Sequence, residues 1–303
     1  MRVLVTGATG FIGRMLAARL AADRERDVAI LIRDRYRNQP LPEPLNSLIG
    51  RLVVVYGDLR DYHDTRRAVH ALRPDLIFHL AAGGVGDPFL AVDGALEQNL
   101  FTTLNLLRAA YDDDLSPKPG KLITVRTPGE ISAMNPYAAS KAASWQFCSM
   151  YTRTQGWPIV GVMPFQTYGP GQHDRHLASG AMAAAMAGKN FEMTAGKQEK
   201  DWIYISDVVD GLLAVSDAGL SPGTSIDLGT GRLTSVAGVV NKIYDLVGGA
   251  GKPLLGALPS RAGEVQAQVA DVGSTKDLIG WEAALSLEQG LSRYYDHLLR
   301  HGA

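Results

Sequence analysis

The sequence predicts an α/β protein, a doubly wound parallel sheet followed by a smaller α/β substrate domain. Three observations predict it. The chain opens with a strand, a glycine turn and a helix; apolar strands then alternate with amphipathic helices to about residue 165; beyond that, strands shorten and loops gain Gly and Pro. Strands that are apolar throughout are covered by helices on both faces, and right-handed crossovers wind them into an open sheet. Two domains are therefore expected, 1–165 and 166–303, with some later segments returning to the first.

Element by element, Arg2, Val3, Leu4 and Val5 run into Thr6-Gly7-Ala8-Thr9-Gly10-Phe11-Ile12-Gly13, and Met15, Leu16 and Leu20 follow at helical spacing. Short apolar runs bounded by turn residues predict buried strands over 27–32, 52–56, 75–80, 121–125 and 157–162. Helices are predicted over 95–111, with Leu96, Leu100, Leu104 and Leu107 on one face, and over 135–154. Residues 34–50, rich in Arg, Pro and Asn, read as a surface loop. In the second half, strands are expected over 201–205 and 225–228 and helices over 208–218, 236–247 and 287–300.

Composition removes several function classes. The 303 residues are 46% apolar and 20% charged, with a formal net charge of −1, which leaves no electrostatic footprint for nucleic acid or an anionic membrane. No run of about twenty apolar residues is present to span a bilayer. A core strand begins at residue 2 with no charged leader before it, so no secretory signal is expected. The single cysteine, Cys148, sits among Trp145, Phe147 and Met150 and reads as a buried structural thiol. It suits a reducing compartment, and the expected address is the cytoplasm.

Two constellations carry chemistry. In the first turn, one glycine makes the bend, one lets the backbone approach a pyrophosphate, and one lets the helix pack closely on the strand. The helix then aims its unpaired N–H groups and positive dipole end at that phosphate. Asp58, just past the third strand, stands where such sheets hold ligands; its alternative role is to satisfy local backbone N–H groups. The second constellation is Asn135-Pro136-Tyr137-Ala138-Ala139-Ser140-Lys141. Tyr137 and Lys141, four apart, project from one helix face. A phenol with an ordinary pKa near 10 is a poor base, and an ammonium one turn away, helped by the charged ring of a bound cofactor, is expected to lower that value and make it a proton relay.

Taken in order, these motifs resemble the extended short-chain dehydrogenase/reductases, in the branch that modifies nucleotide-diphosphate sugars (epimerases, 4,6-dehydratases and 4-ketoreductases). The resemblance rests on Thr6 to Gly13, Gly57-Asp58-Leu59, His79-Leu80-Ala81-Ala82, Asn99, Tyr137 with Lys141, Pro164-Phe165, residues 168–172 and 201–208, Arg261-Ala262-Gly263-Glu264, Asp271 and Gly280-Trp281. It implies a Rossmann-like fold in which Gly7, Gly10 and Gly13, with Phe11 and Ile12, hold the pyrophosphate. By the same resemblance Asp58 and Leu59 meet the adenine, Ala81 and Ala82 line the ribose, and Thr9, Leu80, Asn99 and Pro164 complete the cofactor's surroundings. Tyr137 is implied to be the acid/base and Lys141 its partner on the nicotinamide ribose. Arg261 resembles the arginine that clamps the substrate diphosphate, a task suited to a guanidinium fork; its alternative is a solvated surface charge.

Three departures from the family pattern matter. Arg33, twenty residues after Gly13, stands where relatives that prefer NAD carry an acid, with Arg35 and Arg37 beyond it. A guanidinium there suits a 2′-phosphate, so NADP is favoured over NAD, with Asp34 as the ribose acid if the strand ends one residue later. Second, the fifth strand reaches Tyr137 after fewer residues than the resemblance implies, which either opens the site or reflects residues missing from this sequence. Thr127 is the nearest hydroxyl by strand counting, with Thr124 and Ser132 as substitutes. Third, Gln166 and Lys200 replace the asparagine and arginine expected on the substrate side.

The expected function is an NAD(P)-dependent oxidoreductase or isomerase acting on a nucleotide-diphosphate sugar, by 4-keto reduction or epimerisation. Absence of a Thr-Asp-Glu stretch weighs against dehydration. The alternatives are a non-catalytic dinucleotide-binding regulator and a reductase of a non-sugar ketone. No metal is expected, because the seven histidines form no ligand motif and the close pair, His173 and His176, reads as loop. A homodimer is expected through the helices over 95–111 and 137–154, which carry apolar residues on more than one face.

Overall fold

The structure, a computed structural model, describes residues 1–84, 87, 90–112, 114–260 and 265–302. The chain forms two compact units, Met1–Met163 with Leu212–Ile226, and Pro164–Gly211 with Asp227–Ala303.

The first unit is organised by a seven-stranded sheet. Its strands are β1 (Arg2–Thr6), β2 (Asp27–Ile32), β3 (Leu52–Tyr56), β4 (Leu76–His79), β5 (Lys121–Val125) and β6 (Ile159–Pro164), together with Ser225–Leu228. Across the sheet the order is Ser225–Leu228, β6, β5, β4, β1, β2, β3, and the five pairings from β6 to β3 are parallel. Val3, Leu4 and Val5 of β1 and Ile77 and Phe78 of β4 have no exposed surface, as strands sandwiched between helices require. From β1 the chain winds one way to β2 and β3, and from β4 the other way. The strand order therefore reverses between β1 and β4, where such sheets open a crevice at their C-terminal ends.

Helices α1 (Phe11–Ala22) and α2 (Tyr62–Leu72) cross over between these strands. A third helix, α3, runs from Val92 to Asp112 with wider π turns at Leu96–Phe101 and Arg108–Asp112. These turns change which face is buried. Of the expected apolar stripe, Leu107 is fully buried but Leu96, Leu100 and Leu104 are only half-buried, while Ala95, Asn99, Thr102, Thr103 and Leu106 face inward. A π turn advances the helix by an extra residue, so a stripe counted at 3.6 residues per turn loses its phase.

Helix α4 (Pro136–Gln155) starts where the sequence dictates. The Asn135 side chain accepts the Ala138 N–H at 2.8 Å, proline occupies the first turn, and Gly156 ends the helix at φ 68°. Cys148 on its inner face is fully buried, and burial pushes its thiol up to about 12, as befits a structural cysteine. The Tyr151 ring stacks on Trp157 with centroids 4.2 Å apart.

The second unit is built around the strand Glu199–Tyr204. It pairs with Leu233–Ser235, Ala267–Gln268 and Gln166–Tyr168, and a separate two-stranded sheet joins Phe191–Met193 to Pro253–Leu255. Asp201 is its polar centre. Its buried carboxylate accepts the Thr230 N–H and hydroxyl, the Gly231 N–H and the Ala270 N–H, all within 3.2 Å. Among the described residues, no helix is long and apolar enough to cross a membrane. No group of three or more His, Cys, Asp or Glu among them could hold a metal ion.

Candidate active site

Where β1 ends, Gly7 turns at φ 71°, and a methyl group on it would lie 2.5 Å from the Ala81 backbone nitrogen. The turn and the end of β4 thus touch backbone to backbone. At Gly13 a methyl would fall 2.2 Å from the Gly7 carbonyl oxygen, so α1 packs against the turn with no room for a side chain. Gly10 differs: its closest such contact is 3.2 Å, and it is exposed. As the N-cap of α1 it offers no side chain to satisfy the first helical N–H groups, which stay available to an anion.

Beside this turn lies a cleft of about 300 Å³. Gly7, Thr9 and Gly10 form one wall, Leu80, Ala81 and Ala82 another, and Arg33, Asp58 and Leu59 the end beyond β2 and β3. This is a cradle of bare backbone and small side chains closed by a charged end, which fits a dinucleotide. Phe11 and Ile12, half-buried, form the first turn of α1 behind it.

Several residues at the charged end were not singled out from sequence. Arg60, Tyr36, Gln98 and Thr102 also line the cleft. Arg60 grips Asp58 through two guanidinium nitrogens, the closest pair 2.6 Å apart, and its backbone N–H bonds the same carboxylate at 2.9 Å. That pairing holds Asp58 below the usual carboxylate range. Asp58 therefore both lines the cleft and satisfies its own turn. Asp34 pairs with Arg37 at 2.9 Å and is not among the residues lining the cleft, whereas Arg33 is.

Asn99 is buried in the first π turn of α3. Its side chain accepts the Gly83 N–H at 2.8 Å and donates to the Gly83 carbonyl and to the Ser140 hydroxyl at 2.9 Å. It shapes the loop after β4 and anchors α4. His79 bridges the Thr6 and Thr103 hydroxyls at 2.8 and 3.0 Å, and burial pushes its pKa down to about 3, so it is neutral.

Tyr137 and Lys141 lie one turn apart near the start of α4, Tyr137 half-buried and Lys141 buried. The Thr127 hydroxyl is placed to donate to the phenol, which favours the phenolate. Of the alternatives, Thr124 is buried inside β5 and the Ser132 hydroxyl donates to the Gly129 carbonyl. The expectation that Lys141 lowers the phenol's pKa is not met by the chain alone. Burial first, and the Glu130 charge second, push Tyr137 up to about 12. Burial also lowers Lys141, which weakens the ammonium that was to offset it.

In the second unit, Pro164 is buried at the end of β6 and Gln166 is exposed on the next strand. The Lys200 ammonium donates to the Val265 carbonyl at 3.1 Å and to the Gln268 side chain at 2.8 Å. Arg261 lies outside the described residues.

A model of the NAD dependent epimerase/dehydratase family matches residues 3–229. The chain belongs to that family. Among curated relatives of this epimerase/dehydratase chain, the UDP-glucose 4-epimerase of Mycolicibacterium smegmatis is 29% identical over 315 residues, covering 97% of each chain. The dTDP-glucose 4,6-dehydratase of Xanthomonas campestris is 27% identical over 328 residues, covering 98% of this chain and 92% of the relative. Among solved structures, the Thermus thermophilus UDP-glucose 4-epimerase in complex with NAD matches 100% of both chains at 26% identity and a TM-score of 0.83. The Thermotoga maritima UDP-glucose 4-epimerase with UDP-glucose shares the fold, at 23% identity and a TM-score of 0.85 over 99% of each chain.

The glycine geometry separates stability from binding in this epimerase/dehydratase chain. Gly13→Ala forces backbone apart and should cost roughly 1–3 kcal/mol in denaturant unfolding. Gly10→Ala should unfold near the wild-type midpoint yet weaken dinucleotide binding at least about tenfold by calorimetry. Equal losses of stability in both variants would contradict this division.

Proposed function

We propose that this chain is an NAD(P)-dependent oxidoreductase or isomerase of a nucleotide-diphosphate sugar, acting by 4-keto reduction or epimerisation with Tyr137 as acid/base. The observation that carries the reading is the placement of half-buried Tyr137 and buried Lys141 one turn apart on α4, with the Thr127 hydroxyl placed to donate to the phenol, in the same unit as the glycine-walled cleft. The names of the relatives support the substrate class.

When bound, a nicotinamide supplies a hydride carrier and, oxidised, a positive ring. The chain's own residues do the rest. With a sugar bound, the Thr127 hydroxyl would turn its one hydrogen from the phenol to the sugar oxygen and keep that oxygen beside the phenol. Tyr137 moves the proton at that oxygen: protonated, it gives one to a ketone; ionised, it takes one from a hydroxyl. Burial and Glu130 raise the phenol's pKa further above neutral in the unliganded chain. Lys141 bonds the cofactor ribose and stabilises the phenolate when it forms. Gln166, Lys200 and Arg261 are the substrate-side residues of this reading.

NADP is favoured by Arg33, which lines the cleft with Arg60 while the neighbouring acid Asp34 is paired elsewhere. The NAD complexes among the structural relatives support NAD as the other cofactor. Pairing of two copies through α3 and α4 is supported by Phe101 and Phe147, 48% and 40% exposed on those helices.

Four measurements test the reading. Tyr137→Phe should bind dinucleotide as the wild type does but lose about 10²–10⁴-fold in turnover of a UDP- or dTDP-sugar; unchanged turnover would refute it. Consumption of one dinucleotide per sugar marks a ketoreductase, and regeneration marks an epimerase. Arg33→Ala should weaken NADP binding roughly tenfold with NAD little changed, since one charged hydrogen bond is lost; equal effects on both would remove the NADP preference. Sedimentation should give the mass of a dimer, and a monomer at micromolar concentration would exclude the pairing.

A further inference from the structure

If Tyr137 and Lys141 are the proton-moving pair, one buried charge beside them still has no role. Glu130 sits three residues past Thr127, in the short turn Pro128–Ile131, with its side chain 3% exposed. One carboxylate oxygen accepts the Thr127 N–H at 3.0 Å, and the other accepts from the Arg126 Nε at 2.9 Å. Thr127 in return accepts the Gly129 N–H at 3.4 Å, closing a reciprocal cap. Arg126 extends the network. It donates to the Ser225 hydroxyl at 2.8 Å and lies over the Trp145 ring of α4, 4.4 Å from its centre.

A reciprocal cap of this kind is served equally well by glutamine. The negative charge is therefore more than the turn requires, and burying it is costly without compensation. Arg126 compensates part of it. The other groups it acts on are those of the site: Tyr137 and Lys141 at the start of α4, and Cys148 further along the same helix. From β4, His79 is neutral, and the Lys141 charge adds to burial in lowering its pKa.

We propose that Glu130 is a positioning residue for the Tyr137–Lys141 pair. Its carboxylate holds the Thr127 backbone N–H, and so the residue whose hydroxyl serves the phenol, and acts as a buried counter-charge to the Lys141 ammonium. The inference rests on the enzymatic reading above. The signs follow from charge. A negative group beside Lys141 opposes the effect of burial and keeps the ammonium charged, and beside Tyr137 it keeps the phenol protonated. Removing it should lower the pH at which the phenol ionises. Removing Arg126, which leaves Glu130 uncompensated, should raise it.

The test needs no substrate. Protein labelled with ζ-¹³C tyrosine, the Tyr137 signal assigned with Tyr137→Phe, is titrated upward from neutral pH with and without NAD⁺. Glu130→Gln keeps an oxygen for the Thr127 N–H and should shift the Tyr137 titration down by about half a pH unit or more. Arg126→Gln should shift it up. A purely structural role would leave the titration where it is and lower only thermal stability, and that result would overturn the proposal. If Glu130→Gln does not fold, the sign of the Arg126→Gln shift decides. Failure of both to fold would assign the pair to the scaffold and also overturn it. Failure of the enzymatic reading appears separately, as lack of turnover by the wild type.

Discussion

A single buried asparagine ties the helix that carries Tyr137 and Lys141 to the loop that bounds the dinucleotide cleft. The Asn99 side chain holds Gly83 by two hydrogen bonds and Ser140 by a third, and its carbonyl accepts the Thr103 and Ser144 hydroxyls at 2.6 and 3.2 Å. Ser140 and Ser144 flank Lys141 on α4. The Asn99 backbone carbonyl, in the π turn Leu96–Phe101, also accepts the Thr102 N–H, so main chain and hydroxyls meet on one buried oxygen. An apolar residue at that position would leave buried partners in the loop and on α4 unpaired at once.

On that frame the site is a balance of charges held away from water. Burial raises the Tyr137 phenol and lowers the Lys141 ammonium, so neither group is ready to exchange protons unaided. Thr127 pulls the phenol one way and Glu130 pulls it the other. A positive ring bound beside them would tilt the balance toward the phenolate. In the proposed function, proton transfer would thereby be coupled to occupancy of the cleft.

Much of this was legible in the sequence, for local reasons. The glycine turn, the apolar strands and the Tyr137–Lys141 spacing are short-range patterns, and Gly7 and Gly13 are glycines because backbone meets backbone there. What was illegible depends on contacts that spacing does not encode. The burial of Asn99 over Leu96 follows from a π turn, and no apolar periodicity announces one. Arg60 clasps Asp58 across a two-residue turn, which is readable only once Asp58 is known to sit at the cleft. Glu130 looks like an ordinary turn acid; only its burial against Arg126 shows that its charge is turned inward. That the chain alone raises the phenol's pKa was also illegible, because a sequence does not show how far burial dries the residue.

The measurement that tests the central claim most directly is a crystal structure of the protein with a nicotinamide dinucleotide bound. The account predicts the pyrophosphate on the turn between Gly7 and Gly13, with the nicotinamide end of the cofactor beside the Tyr137 phenol and Lys141 bonded to its ribose. A dinucleotide bound elsewhere, or a phenol turned away from the nicotinamide, would contradict it.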